Sequence, residues 1–163
     1  MQIKKANKED IDKLSNLRII QQKDDWKTLF YDDDLFNKTK NHLLKHLNQD
    51  VFIFMYQEND EIISTCSMQV ISYLPQYNNN GKVGYLCNAY TKKEYRSRGL
   101  QTNFINQCMQ FAKENEIYEL ELSSNNPEAA SIYKNLGFVH DEWRMRIDLR
   151  KWQNDKKYNI WYW

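Results

Sequence analysis

Residues 82–102, KVGYLCNAYTKKEYRSRGLQT, decide the fold of this chain. Residues 82–91 are rich in apolar and β-forming side chains and predict a long strand. A polar turn over 92–97 follows, and a helix is predicted from about Gly99. The strand pattern returns at 117–123 (IYELELS), so the segment predicts a β-α-β unit with two parallel strands. The apolar stripe of the helix comprises Leu100, Phe104, Cys108 and Phe111.

The turn before this helix contains several of the few arginines and glycines in the chain. Two of the six arginines and one of the four glycines fall between Arg96 and Gly99. A helix N-terminus presents unpaired backbone N–H groups and the positive end of the helix dipole. Glycine lets a phosphate approach the backbone, and arginine supplies charge-assisted donors. The pattern favours a pyrophosphate cradle, with a basic, solvated helix start containing a turn glycine as the alternative.

A second constellation, NNPEAASIYKNLGF, occupies residues 125–138. It predicts a short helix with Asn126 as its cap, Pro127 at its first position and Gly137 just past its end. Tyr133 combines an apolar body with a polar tip. It is either a tyrosine at the edge of the core or a functional hydroxyl.

Together, the two constellations resemble the GNAT family of N-acetyltransferases, which transfer an acetyl group from acetyl-CoA to an amine. Residues 96–101 (RSRGLQ) match the phosphate motif of the family except at Gln101, where the family has Gly or Ala. The resemblance covers roughly residues 2–149. It implies an α/β (α+β) single-domain fold with a mixed, largely antiparallel sheet flanked by helices and a splayed parallel pair at the cofactor site. The later family signature is matched by Asn126, Ala129, Tyr133 and Gly137-Phe138.

The resemblance also implies roles for individual residues. Backbone N–H groups of residues 98–102 would hold the CoA pyrophosphate, and Asn126 would hydrogen-bond the pantetheine arm. The strand would carry a bulge that opens it, with an N–H near Ala89 directed at the acetyl carbonyl. Tyr133 would be the general acid on the departing CoA thiolate, and Asn88 is the second candidate catalytic residue. The implied cofactor-binding residues are Ala89, Tyr90, Thr91, Arg96, Arg98, Gly99, Leu100, Gln101, Thr102, Asn126 and Tyr133.

Two features of the implied chemistry stay open. Attack of an amine on a thioester forms an oxyanion that a fixed N–H stabilises, and the amine must lose a proton to a base. Glu119 and Glu121, on one face of a strand, and the aspartates at 32–34 are candidate bases or solvated surface carboxylates. The Gln101 side chain either turns outward or adds a donor to the phosphate.

The rest of the chain completes the predicted order β-α-α-β-β-β-α-β-α-β in one domain. Strands are predicted at 2–6, 51–57, 62–73 and 138–149, and a loop at 74–81. Asn7 and Asp10 resemble a capping box before a first helix that begins near Ile11. A second helix begins near Asp34. Its expected inward side chains are Leu35, Leu43, Leu44 and Leu47.

Composition excludes several classes of protein. The chain of 163 residues has a formal net charge of +1, which disfavours a nucleic-acid-binding module. It lacks an N-terminal signal pattern and an apolar run long enough to cross a membrane, so we expect a cytoplasmic protein. The three cysteines are expected to be reduced core thiols. His42 and His46 have metal-binding spacing without a third ligand, so no metal is expected.

The resemblance implies a small-molecule or peptide amine as the acceptor, in a pocket lined by residues 21–36 and 73–82. The first segment carries an acidic excess that suits a cationic amine, although a solvated charged loop explains it equally. Aromatic side chains in the two segments would instead suit an apolar amine. These are Trp26, Phe30, Tyr31 and Tyr73.

Two further alternatives remain at this stage. The same fold could bind acetyl-CoA as a sensor or assembly protein without turnover. The tail, residues 150–163, lies beyond the resemblance and holds three of the five tryptophans. We expect it to add an edge strand to its own sheet or to that of a partner in a homodimer. The alternative is a disordered end.

Overall fold

The computed structural model describes residues 2–26, 33–124 and 126–140, and the chain divides between Ser123 and Ser124 into two compact units. The second unit contains one described helix, α4 (Pro127–Asn135). The elements of the first unit are β1 (Lys4–Lys5), α1 (Ile11–Trp26), α2 (Asp33–His46), β2 (Val51–Glu58), β3 (Glu61–Ser72), β4 (Lys82–Thr91), α3 (Leu100–Glu114) and β5 (Glu119–Leu122).

The sheet of the first unit has the order β1-β2-β3-β4-β5. Neighbours from β1 to β4 are antiparallel, which confirms the predicted hairpin of β2 and β3. β4 and β5 are parallel, with pairs from Val83–Glu119 to Leu86–Leu122, so the predicted β-α-β unit is also confirmed. The sheet is therefore mixed and largely antiparallel, as the resemblance implied.

The two faces of β2 contact different helices. Ile53 and Met55 belong to the core that also contains Leu14 of α1 and Leu43 of α2. The intervening residue Phe54 contacts Phe111 of α3, with ring centroids 5.7 Å apart. Alternation along the strand thus places α1 and α2 on one face and α3 on the other.

One predicted core residue of α2 is wrong. Leu44 is 53% exposed, whereas Leu43 and Leu47 are buried. Residues four apart share a helix face, and Leu44 is turned about 100° from its neighbour Leu43. The side chain of Leu35 is half-buried, so the helix buries a narrower stripe than we predicted.

The capping box that the sequence predicts before α1 is present in the structure. The Asn7 side chain accepts from the Glu9 N–H at 2.8 Å, and the Asp10 carboxylate accepts from the Asn7 N–H at 2.9 Å. This capping box forms a short 3₁₀ turn, Lys8–Asp10, that leads into α1.

In the second unit, the end of α4 is a Schellman motif. Gly137 has a φ of +93°, the Phe138 N–H donates to the Tyr133 carbonyl at 3.0 Å, and the Gly137 N–H donates to the Lys134 carbonyl at 3.1 Å. The ring centroids of Tyr133 and Phe138 lie 5.9 Å apart. The helix thus ends where Gly137 predicted.

The last predicted strand differs from the structure at its start. Residues 138–140 are not in a strand, and residues 141–149 lie outside the described ranges, as does the tail at 150–163. The predicted edge strand and the homodimer therefore stay predictions. Within the described ranges, no helix is long and apolar enough to cross a membrane.

Gly81 closes the β3–β4 connection and offers a test of this backbone. We expect Gly81→Ala to lower the free energy of unfolding by about 3 kcal/mol. The residue has a φ of +78°, and an added Cβ would lie 2.4 Å from the Tyr73 carbonyl oxygen. Gly99→Ala is the matched control, because Gly99 has a φ of +71° but an added Cβ would meet nothing within 4 Å. Urea unfolding should show a loss of about 1 kcal/mol for the control, and equal losses would contradict the clash.

Candidate functional site

The strand β4 contains one extra residue where it passes β3. Thr65 pairs with Tyr90 and Ser67 with Cys87, so β3 advances two residues while β4 advances three. Asn88, inside the irregularity, has a φ of +51°. This arrangement is a β-bulge, and it confirms the bulge that the family resemblance implied.

Beyond the bulge, β4 loses its parallel neighbour. The last pair between β4 and β5 is Leu86–Leu122, although β4 continues to Thr91. Among the described residues, 87–91 have no partner in β5, and Asn88 and Ala89 are exposed. The parallel pair therefore splays, which leaves a length of strand edge that an extended ligand can reach.

The turn after β4 leads to a helix start that is open to an anion. Ser97 has a φ of +60° and Gly99 a φ of +71°, and Gly99 is the N-cap of α3. Among the described residues, no side chain caps this helix, and an added Cβ on Gly99 would meet nothing within 4 Å. First-turn N–H groups without a side-chain cap, next to two left-handed residues, suit a phosphate.

The two arginines of the motif brace this turn. Arg96 Nε donates to the Thr91 carbonyl, and an Arg98 terminal nitrogen donates to the Glu94 carbonyl, each at 2.9 Å. The Arg98 guanidinium also lies over the Tyr95 ring, 4.9 Å from its centroid. Both guanidinium groups therefore lie at the predicted phosphate cradle, and each also stabilises the turn through a hydrogen bond to a backbone carbonyl.

The Gln101 side chain follows neither of the two predicted courses. It turns inward, and its amide nitrogen lies 3.0 Å from Thr91 Oγ1 and 3.1 Å from the Tyr90 carbonyl oxygen. Ser64 Oγ and the Thr65 carbonyl are further acceptors at 3.3 and 3.2 Å. The first turn of α3 is thus tied to β3 and to β4 just past the bulge. The expectation that this amide faces outward or donates to a phosphate is wrong.

Asp24, near the end of α1, joins that helix to the turn. Its carboxylate accepts from the Tyr90 hydroxyl at 2.9 Å and lies 3.5 Å from Lys93 Nζ and 3.8 Å from an Arg96 nitrogen. The Tyr90 hydrogen bond is the main cause that lowers the pKa of Asp24. Burial, followed by this carboxylate, raises the pKa of Tyr90 to about 12. As part of the segment 21–36, Asp24 was expected only to add to an acidic acceptor region, and its bond to Tyr90 was not predicted.

A cavity of about 330 Å³ lies between α1, α2 and the sheet, and it reaches the bulge at Cys87 and Asn88. Gln21 and Leu35 of the expected acceptor segment 21–36 line it, whereas the loop at 73–82 does not. The apolar lining is formed by Leu14, Leu17, Leu35, Leu43, Val51 and Ile53. The polar lining is formed by Arg18, Gln21, Lys38, Thr39, His42, Thr65, Ser67, Gln69, Cys87 and Asn88.

Of the carboxylates predicted as general bases, those with described side chains do not line this cavity. Glu119, Glu121 and Asp34 are absent from its described lining, and the side chains of Asp32 and Asp33 lie outside the described set. His42 does line it, and the ring centroids of His42 and His46 are 4.4 Å apart. Within the described ranges, no cluster of three or more potential metal ligands occurs.

Cys87 is the thiol that lines the cavity. Burial raises its pKa to about 11, so the group is a neutral thiol near pH 7. Cys66 and Cys108 are buried elsewhere in the core, and none of the three forms a disulfide. A nucleophilic thiolate at the bulge is therefore not a feature of this site.

Asn126 and Tyr133 belong to the second unit. The Asn126 N–H donates to Ser124 Oγ at 3.2 Å, and the Asn126 carbonyl accepts from the Ala130 N–H at 2.9 Å. Asn126 therefore starts α4, as predicted, and Tyr133 lies in its last turn. Their proposed contacts with CoA rest on the sequence signature.

Comparison with known proteins identifies the architecture. The sequence profile of the Acetyltransferase (GNAT) family matches residues 11–138. A predicted acetyltransferase from Clostridium acetobutylicum, solved with acetyl-CoA, has a TM-score of 0.81 and 26% identity, with 91% of this chain and 96% of that chain covered. No curated protein matches in sequence.

Two more distant structures share the fold. Glucosamine-6-phosphate N-acetyltransferase from Arabidopsis thaliana has a TM-score of 0.68 and 18% identity, covering 91% of this chain and 97% of that chain. An aminoglycoside acetyltransferase from an uncultured soil metagenomic sample, solved with sisomicin, has a TM-score of 0.69 and 17% identity, covering 90% and 93%.

The bond between Tyr90 and Asp24 predicts a pH-dependent stability. We expect Tyr90→Phe to lower the free energy of unfolding by about 1 kcal/mol at neutral pH. The folded pKa of Asp24 is depressed. The stability that its ionised form contributes is therefore present above about pH 4 and lost as the pH falls through the folded value.

Urea unfolding between about pH 3 and pH 7 measures this effect. The difference between wild type and Tyr90→Phe should shrink towards the acid end. Tyr85→Phe is the control, because it removes an exposed hydroxyl that bonds the Ser123 hydroxyl and no carboxylate. A difference for Tyr90→Phe that stays constant across the range would contradict the proposed linkage.

Proposed function

Because the chain belongs to the GNAT family of acetyltransferases, we propose that it transfers an acetyl group from acetyl-CoA to a primary amine. The observation that carries the proposal is the bulge of β4. Asn88 lines the cavity on one side of it. The strand edge beyond the bulge, which has no β5 partner among the described residues, leads to the helix start at Gly99. A donor and an acceptor could thus meet at one exposed point of the backbone.

The residues present fit the donor. N–H groups of residues 98–102 bind the pyrophosphate, and the strand edge at 89–91 pairs with the amides of the pantetheine arm. Arg96 and Arg98 contribute charge while they hold the turn. The acyl donor supplies an activated thioester when bound, and Asn126 hydrogen-bonds its arm.

The chain then supplies the polar groups that the reaction needs. An N–H near Ala89 stabilises the oxyanion that forms when the amine attacks, and Tyr133 donates a proton to the departing thiolate. His42 lines the cavity and is a group that can accept the proton of the amine. Because Cys87 stays protonated, direct attack by the amine is favoured over transfer through a cysteine.

Donor binding is tested at Gly99. We expect Gly99→Val to weaken acetyl-CoA binding at least tenfold, or about 1.4 kcal/mol, because its side chain enters the space in front of the helix. Gly99→Asn separates size from strain, since asparagine tolerates the left-handed conformation better than valine does. Calorimetry should show losses for both variants. Unchanged affinity in folded Gly99→Val would refute the cradle.

Catalysis is tested at Tyr133. We expect Tyr133→Phe to slow turnover by about 10² or more, with acetyl-CoA affinity retained, because the general acid is lost. Release of free CoA thiol with a panel of amines measures the rate. Cys87→Ala is the control and should retain turnover. Wild-type rates in Tyr133→Phe would assign that ring to packing, and acetyl-CoA binding without thiol release for any amine would favour the sensor alternative.

A further inference from the structure

The Gln101 side chain lies across the β3–β4 ladder immediately beyond the bulge. Its amide nitrogen is 3.0 Å from Thr91 Oγ1 and 3.1 Å from the Tyr90 carbonyl oxygen, both on β4. The register partners of these residues on β3, Ser64 and Thr65, supply two further acceptors at 3.3 and 3.2 Å. The two N–H protons of the amide are thus shared between both strands, at the first two pairs past the irregularity.

The same residue belongs to the helix start that forms the candidate phosphate cradle. Gln101 is the second residue of α3, whose N-cap is Gly99. The N–H groups of the first turn of a helix lack intrahelical partners. The backbone of Gln101 is therefore part of the cradle, whereas its side chain is bonded to the far end of β4. One residue joins the two parts of the chain that are proposed to bind the acyl donor.

The turn between β4 and α3 constrains the spacing of these two parts less directly. The hydrogen bonds of Arg96 and Arg98 have their acceptors within residues 91–98, so they brace the turn but do not reach α3. The Gln101 amide connects α3 to β4 without the turn. Because connecting segments are the more mobile parts of a fold, we infer that this amide fixes the distance between the strand edge and the helix start.

The amide oxygen of Gln101 offsets part of the stability that its nitrogen contributes. Oε1 is buried, and within the described ranges no donor hydrogen-bonds it. A buried acceptor without a donor costs a free energy comparable to the gain from a hydrogen bond. The orientation of the amide is nevertheless fixed, because rotation would place this oxygen against the carbonyl oxygens of Thr65 and Tyr90. The side chain therefore holds one geometry while it adds little net stability.

We propose that Gln101 is a positioning residue for the acyl donor, and that it sets the spacing between the strand edge at 89–91 and the helix start at Gly99. The proposal rests on the donor site of the proposed acetyl-transfer function. One CoA molecule must meet both parts at once, with its pantetheine arm on the edge and its pyrophosphate at the helix start. Two linked contacts reinforce each other only when the spacing of their sites matches the ligand, and a small misplacement removes much of the gain.

Acetyl-CoA and ADP distinguish this alignment from the quality of the cradle. ADP carries a pyrophosphate but no pantetheine arm, so it tests the helix start alone. We expect Gln101→Ala to weaken acetyl-CoA binding about tenfold or more and to keep ADP affinity within about twofold of wild type. Calorimetry measures the first affinity, and displacement of acetyl-CoA by ADP measures the second.

Three results with these ligands would overturn the proposal. Equal losses for acetyl-CoA and ADP would make Gln101 only a part of the cradle. Unchanged acetyl-CoA affinity in folded Gln101→Ala would remove its role altogether. Failure of ADP to displace acetyl-CoA from the wild-type protein would contradict binding at two separate points.

Two further variants control for lost volume and for helix packing. Gln101→Met keeps a side chain of similar length without the amide donors, so it should reproduce the alanine result. Asn103→Ala is the matched control, because it removes another side-chain amide of α3, which donates to the Tyr56 hydroxyl at 3.3 Å rather than to β4. This control should leave both affinities unchanged. Wild-type acetyl-CoA affinity in folded Gln101→Met, or an equal loss in Asn103→Ala, contradicts the positioning role.

Release of CoA thiol with a panel of amines separates this proposal from the acetyl-transfer function. A loss of acetyl-CoA affinity in Gln101→Ala with ADP affinity retained, without turnover of any amine by the wild type, supports the positioning role and contradicts the acetyltransferase activity. Turnover by the wild type, together with equal effects of Gln101→Ala on the two ligands, has the opposite meaning.

Discussion

The single extra residue in β4 is the constraint on which the rest of this structure depends. It turns Asn88 into the left-handed region and exposes it beside Ala89. The pairing with β5 ends at Leu86, just before this point, so strand edge is left without a partner from β5 among the described residues. The cavity under α1 and α2, the free edge and the helix start at Gly99 are adjacent because all three border the same short segment.

Local patterns in the sequence were sufficient for most of the fold. The strand at 82–91, the cap at Asn7 and the glycine end of α4 were predicted because each depends on neighbours in the chain. The inward position of Leu44 was wrong because several faces of α2 carry leucine, and only the packing decides which is buried. Asp24 of the segment 21–36 has partners, Tyr90 and Lys93, that lie far away in sequence.

The candidate site shows the same division between local and distant causes. The motif at 96–101 located the helix start, but it could not show that Gln101 turns into the sheet, since that requires acceptors from β3 and β4. Asp24 bonds Tyr90 across 66 positions of sequence, and no spacing rule reveals such a pair. Composition likewise suggested an acidic acceptor region, but it could not show that Asp24 of this region is bonded to Tyr90.

The bulge also affects how readily the exposed edge of β4 can pair with a strand of another chain. An unpaired strand edge is a template for a second sheet, and long flat edges lead to aggregation. Here the edge without a β5 partner is confined to residues 87–91, and a bulge twists it at Asn88. A neighbouring protein strand would need a straight run of amides that this edge does not offer. The same added residue that exposes Asn88 therefore also limits the regular strand edge that another chain could pair with.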